Sequence, residues 1–401
     1  MTARSYGDLL RNRGFASLMG FSLVARLPLG MTSLAVVLLV SKHGAYSRAG
    51  LVIAVYVTGT GIAGPILGRL VDRAGRTTVL PPFATAEAVL LCVLAELSPQ
   101  DTAALLACAL GAGLCTPPVT SSARALWPLV LPASQVPVVY ALEATLQELA
   151  FIVGPALVAV IVSVSGPREA LLASAAALLV GVLAFSFHPT TRAATPALDR
   201  SVPGPRSLRL ALPVPIVVAA MTVVAAFSFV ELATVAFARS HHSAASAGVV
   251  LAIWSAGSLV GGLWLGVRAS GSGVTTRKVA VFMVVLAAGT AIPALSPSIW
   301  LLAVLLFLGG LAIAPTFGAL YSLTASQAPP DRQTEAFGWL SSGFQAGIAL
   351  GAITGGAIVQ TAGSRIAYGA SAGIVLVGAA VLGRWEPSPP PPAVGGEDPN
   401  R

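Results

Sequence analysis

Hydrophobic residues make up 56% of this 401-residue chain and charged residues only 9%, so an ionisable residue inside an apolar run is an exception. Arg26, Glu87, Glu143, Glu148 and Glu231 are such exceptions. In hydrocarbon a charged side chain costs at least ~2.5–3.5 kcal/mol on insertion scales, so it persists where it pairs, takes up a proton or meets a solute. An arginine there can hold a carboxylate through parallel hydrogen bonds. A glutamate there can carry a proton or a cation. Arg26 lies well inside the first run, and Pro28 and Gly30 follow closely and can bend the helix. Glu148 lies at a matching depth in the fifth run, near the middle of a segment that rises ~1.5 Å per residue. Glu143 and Gln147 share one helix face, and Glu148 is turned about 100° from Gln147. Glu143 sits nearer the helix start, where it can reach solvent. Glu231 is set deep in the seventh run among Phe227, Phe229 and Phe237. Each of these residues also has a plainer reading, as a structural ion pair or a satisfied acid.

Other chemistry is excluded. No nucleophile, acid and base fall into a catalytic pattern, and the chain is expected not to be an enzyme. No G-x-x-x-x-G-K-[ST] loop occurs, so energy comes from a gradient or from the solute itself. His43, His188, His241 and His242 lie at loops or helix ends. His241-His242 can bind a metal or sense pH, but two neighbours in a short loop are more often solvated. Cys92, Cys108 and Cys115 lie inside apolar runs and read as small buried hydrophobes. No metal and no cofactor is expected. The net charge of +8 does not point to nucleic acid, because the basic residues are spread over short loops. No cleavable signal peptide is evident.

The elements that must position these residues are membrane-spanning helices. A soluble chain carries about 25% charged residues. The apolar runs are ~20 residues long, as a helix crossing a bilayer needs, and do not alternate as barrel strands do. The sequence predicts twelve helices near 15–40, 47–68, 79–97, 102–123, 138–164, 168–187, 213–237, 246–267, 279–296, 298–321, 335–361 and 365–384. With the N-terminus inside, seventeen Lys and Arg residues, Arg124 among them, fall in cytoplasmic segments and five in outer loops. Basic residues favour the cytoplasmic side, so both termini are placed there. The polar stretch 188–212 reads as a cytoplasmic linker between two six-helix bundles, 1–187 and 213–386. The Pro-, Gly- and acid-rich tail 387–401 is expected to be disordered. The halves read as repeats. Gly64, Gly68, Gly111, Pro117 and Gln147 recur as Gly262, Gly266, Gly309, Pro315 and Gln345, each 198 positions on. Pro117-Pro118 and Pro315 break the fourth and tenth runs, either as hinges or as simple kinks.

One short stretch is densely charged: Gly68-Arg69-Leu70-Val71-Asp72-Arg73-Ala74-Gly75-Arg76. It is predicted to be a tight hairpin loop. Gly68 lets a neighbour approach, Gly75 supplies the turn, and Asp72 caps a helix start or pairs with an arginine. The pattern G-x-L-x-D-R-x-G-R, carried by Gly68, Leu70, Asp72, Arg73, Gly75 and Arg76, resembles the signature loop between the second and third helices of the major facilitator superfamily. The usual further basic residue is Thr77 here. The resemblance covers essentially the whole chain, through helix count, linker, repeat and loop. It implies an all-α membrane protein of two pseudo-symmetric six-helix bundles with a midplane cavity that opens alternately to either side. It implies that the loop latches the cytoplasmic side, with Asp72 on the second half or a helix end and Arg73 and Arg76 tied to nearby acids. It makes the first and fifth helices neighbours, which suggests an Arg26–Glu148 pair. It puts the seventh helix on the cavity, so Glu231 is the leading proton carrier, and the third helix outside it, so Glu87 reads as structural.

Gly154-Pro155 keeps the centre of the family's exporter motif on the fifth helix, but its flanks are Leu146, Ala150, Val158 and Ala159. The same glycine spacing runs through Gly343, Gly347, Gly351, Gly355 and Gly356 on the eleventh helix, with Ala352 in place of proline. Glycines every four residues make a smooth packing face. The resulting expectation is a monomeric, proton-coupled exporter of a small hydrophobic drug or metabolite in the cytoplasmic membrane. The alternatives are a facilitator or symporter for an organic anion or other polar metabolite, with Arg26 as anion binder, and a receptor on a transporter scaffold.

Overall fold

A computed structural model describes residues 13–40, 46–98, 100–194, 211–241, 246–268 and 274–386, without the side chains of Arg13, Tyr46, Ser47, Glu148, Arg239 and residues 265–268. The six helical spans of the first half are α1 (Arg13–Val40), α2 (Tyr46–Ala74), α3 (Arg76–Glu96), the pair α4 (Thr102–Cys115) and α5 (Val119–Val130), α6 (Val136–Val164) and α7 (Pro167–Phe187), followed by a short α8 (Pro189–Ala193). The second half holds α9 (Val214–Ser240), α10 (Ser246–Arg268), α11 (Thr276–Ala291), the pair α12 (Ile299–Gly310) and α13 (Ile313–Gln327), and α14 (Gln333–Gly383). Among the described residues, eleven helical stretches are long and apolar enough to cross a membrane. The last of them contains two crossings. Gly363, at φ 84° and ψ 174°, interrupts α14. Before it, Gly343, Gly347, Gly351 and Gly355 meet Val217, Met221, Ala225 and Phe229 in rising order. After it the order is reversed, with Tyr368 bonded to Thr234 and Gly378 against Thr222. The chain therefore doubles back at Gly363, and the described residues make twelve crossings, as the sequence predicts.

Several boundaries differ from expectation. The stretch 68–76 is helix rather than loop. The first of the two helices runs on to Ala74, and Gly75 alone, at φ 87°, makes the turn. A left-handed residue costs a Cβ-bearing side chain strain that glycine avoids. The fourth span extends past position 123 to Val130, so Arg124 lies inside it. Thr116, Pro117 and Pro118 separate its two helices, because proline lacks the N–H that would continue the ladder. In the tenth span the break falls at Leu311 and Ala312, and Pro315 sits in the first turn of α13, where no intrahelical donor is lost. The tail 387–401 and residues 195–210 of the linker lie outside the described residues.

Small residues set the close crossings. A Cβ on Gly154 would lie 3.0 Å from Gly30 Cα, where α6 crosses α1. A Cβ on Gly351 would lie 2.5 Å from the Ala225 carbonyl of α9. In a bilayer such contact replaces the water-driven burial that holds soluble bundles together.

Candidate functional site

The two halves meet through two seams, and the contacts sit between the Gly75 turn and mid-depth. In the first seam α2 lies on the start of α14. Asp72 accepts a hydrogen bond from the Thr334 amide at 3.0 Å on Oδ1 and from the Glu335 amide at 2.8 Å on Oδ2. The first amides of a helix have no partner within it, and the helix dipole favours an anion there. Asp72 thus caps a helix of the other half. Glu335 accepts from Arg332 at 2.9 and 2.6 Å and lies 3.9 Å from Arg69. The loop residues divide from there. Arg76 is buried and donates from Nε to the Ser122 carbonyl at 3.3 Å, inside its own half. Leu70 and Arg73 are exposed. Gly68 is buried against Thr334, where a Cβ would come within 2.7 Å of its carbonyl oxygen. Further along, Ser342 donates to the Gly61 carbonyl at 2.6 Å and Gln345 to Thr60 Oγ1 at 3.2 Å.

The second seam joins α6 to α10 and α13. A Cβ on Gly262 would lie 2.6 Å from Thr145 Oγ1, and one on Gly318 would lie 3.4 Å from Ala141 Cα. Tyr140 packs edge-on against Tyr321 at 6.4 Å and tilted against Phe337 at 6.0 Å.

A charged cluster is buried directly behind this aromatic layer. Arg26 of α1 forms an ion pair with Glu143 of α6, and both are at most 1% exposed. Arg124 of α5 lies 3.9 Å from the same carboxylate and donates to Gln147 at 3.2 Å. Trp127 donates to Glu143 Oε1 at 2.9 Å. The Arg124 guanidinium stands 3.7 Å over the Tyr321 ring, a cation–π contact supplied by the other half. Among the described residues two cations therefore share one carboxylate here, and Nε and Nη1 of Arg26 have no hydrogen-bond partner.

One expectation is corrected, that Glu143 reaches solvent. Arg26 pairs with Glu143; the side chain of its expected partner, Glu148, lies outside the described residues. Helix side chains tilt toward the N-terminus. The register set where Gly30 meets Gly154 lets the long arginine reach a turn or more down the parallel α6. Glu143 is not solvated but fully buried. Arg124 was read as a basic residue of a cytoplasmic segment, and Tyr321 was not singled out.

Glu231 is exposed. Its neighbours turn away. Phe227 packs edge-on against Trp254 at 5.1 Å and Phe317 at 5.9 Å, while Phe229 lies against Gly355 and Phe237 stacks on His241. Glu231 falls between the edge of α9 packed on α10 and α13 and the edge packed on α14. His188 accepts from the Thr190 amide on Nδ1 at 3.3 Å, which leaves Nε2 to donate to Ser17 Oγ at 2.9 Å. Burial lowers its pKa from the usual histidine range. His43 and His242 lie outside the described residues. No group of three His, Cys, Asp or Glu residues among the described residues can hold a metal ion.

Comparisons with known proteins agree with this architecture. The Major Facilitator Superfamily profile matches residues 18–270 and 216–400. No curated protein matches the chain. The human organic anion transporter MFSD10 (TETRAN) is similar in structure, with a TM-score of 0.72 at 20% identity, covering 92% of this chain and 99% of that one. A bacterial homologue of the iron transporter ferroportin, in an outward-facing state with soaked iron, gives 0.73 at 16% identity, covering 92% and 98%. The proton:xylose symporter XylE gives 0.65 at 13% identity, covering 92% and 95%. Helical architecture and a family match along nearly the whole chain lead to one conclusion: this protein belongs to the major facilitator superfamily, a family of membrane transporters rather than enzymes.

Proposed function

We propose that the chain is a secondary transporter of the cytoplasmic membrane that exports a small, largely apolar organic solute by alternating access, with protons as the coupling ion. The observation that carries this reading is one-sided closure. Both seams seal the Gly75 side, while Glu231 stands on an open face of α9. The bias of basic residues puts the Gly75 side and both termini in the cytoplasm, and it remains sixteen to five with Arg124 moved into a span. In this reading the state is open to the outside. The bundles 1–187 and 213–386 rock about the seams as a monomer, the linker 188–212 joins them, and Asp72 with Gly68 forms the latch. Glu231 takes up the proton.

A second reading has its own support. Among the described residues the buried cluster holds Arg26 and Arg124 against Glu143, and a carboxylate solute would add a second negative charge to these two cations once Tyr321 withdraws. Similarity to a structure described as an organic anion transporter adds to this reading.

Solute-driven proton movement in proteoliposomes tests the two readings, with lipophilic cations and organic anions as cargo. Under the first, a lipophilic cation drives proton flux and Glu231→Gln abolishes it. A response to anions alone, lost in Arg124→Gln and kept in Glu231→Gln, would reject proton-coupled cation export in favour of the anion reading.

A further inference from the structure

Glu87 lies near the middle of α3 and is 1% exposed. Tyr56 of α2 donates to its Oε1 at 2.7 Å, and Thr116 donates to the same oxygen at 3.0 Å. Its Oε2 has no hydrogen-bond partner among the described residues. Among the described residues, the elements packed on α3 bring no cation to this depth. From α2 the titratable group facing it is Tyr56. From α4 it is Cys115, with Cys108 donating to the Leu90 carbonyl at 3.0 Å. On α7 the charged residues are Arg168 and Glu169 at the far end, where Arg168 is held by Glu96. On α8 there is Arg192, beyond the other end of α7.

An ionised carboxylate needs several donors or a cation when it is removed from water. Here one oxygen accepts twice and the other has nothing. A neutral acid fits the same geometry: Oε1 is the carbonyl oxygen that takes both hydroxyl groups, and Oε2 carries the hydrogen. We propose that Glu87 is a proton-binding site of this transporter, with Tyr56 and Thr116 as its positioning residues. The consequence for transport rests on the proton-coupled reading above; the protonated state does not.

Thr116 links this carboxyl to the closed side. It stands at the break between α4 and α5, where Pro117 and Pro118 interrupt the helix. The second of these helices carries the Ser122 carbonyl that holds Arg76 and the guanidinium of Arg124 that lies over Tyr321. Opening of the Gly75 side lifts Tyr321 from Arg124 and frees this helix to swing about the proline break. Thr116 then leaves Oε1, water enters, and the Oε2 proton passes to water, leaving the carboxylate. Closing reverses each step.

Infrared difference spectroscopy of the full-length protein in lipid tests the site without a substrate. Between wild type and Glu87→Gln, a protonated-carboxyl C=O band is expected that persists at about pH 6–7, where an unperturbed glutamate with a pKa near 4.3 is ionised. Absence of that band, or its replacement by a carboxylate band on adding sodium, overturns the proposal. Thr116→Val, which removes one donor, is expected to move the band to higher wavenumber, and this arm stands if Glu87→Gln does not fold. An unmoved band there overturns the positioning role. In proteoliposomes Glu87→Gln is expected to keep solute counterflow and lose solute-driven proton release; retained release overturns the coupling role. If the band is present and no variant moves solute, the transport reading falls and the proton site stands.

Discussion

Glu143 is fully buried and is shared by two guanidiniums, so its charge is the one whose loss leaves the most unpaired charge among the described residues of this cluster. Removing one member of a buried pair leaves an uncompensated charge and costs about 3–5 kcal/mol. Glu143→Gln is therefore expected to lower thermal stability in detergent sharply, followed by the fluorescence of the tryptophans, while Arg26→Met with Glu143→Leu loses less. Equal losses in the single and double variants would show that the pair is not the cause. Arg26 was legible in the sequence because it interrupts an apolar run. Arg124 was not, because the run that precedes it is already long enough to cross a bilayer, and hydropathy gives no reason to continue past an arginine. The signal that was available is the apolar stretch from Ala125 to Leu131 beyond it.

At the scale of elements, the capping of α14 by Asp72 depends on a helix start and a carboxylate coming from opposite halves of the chain. Their types and the contact of Asp72 with a helix end were readable from the loop motif. The identity of that helix was not, since nothing local in the sequence links position 72 to position 334. Asparagine keeps one accepting oxygen but loses the second and the negative charge at the helix start, a charge–dipole attraction of ~0.3–1 kcal/mol, enough to shift a closed–open balance up to about fivefold. Asp72→Asn is expected to insert and fold normally yet to lose most transport, with faster thiol labelling of a cysteine placed at Ala141; unchanged transport would remove Asp72 from the latch. Gly68→Val is expected to prop the same seam open, because even a Cβ there meets the Thr334 carbonyl at 2.7 Å. His188, between α7 and α8, gives the fold a pH dependence. Burial lowers its pKa in the folded state, so the unfolded chain takes up the proton first. Stability is then complete above the unfolded value of about 6.5 and falls as pH drops through it. A thermal denaturation series from about pH 8 to 5 should show this loss and should flatten in His188→Gln.

Across the whole molecule, the repeat seen in the sequence reappears as paired seams. Gly64 of α2 rests on Gly338 of α14, and its counterpart Gly262 of α10 rests on Thr145 and Ala141 of α6, close to the position that matches Gly338 in the first half. Twelve crossings were legible because length and hydropathy alone decide what spans a bilayer. The seams were not, because they depend on how two six-helix units sit together, and glycine spacing marks a packing face without naming its partner. The proposed alternating access requires the first seam to part in every cycle. Thr60→Cys with Gln345→Cys, in a chain cleared of Cys92, Cys108 and Cys115, places two thiols where a 3.2 Å hydrogen bond now spans the halves. Solute flux in proteoliposomes before and after cross-linking is the most direct test. The account predicts that cross-linking stops flux and reduction restores it. Flux that continues through the cross-linked protein would contradict it.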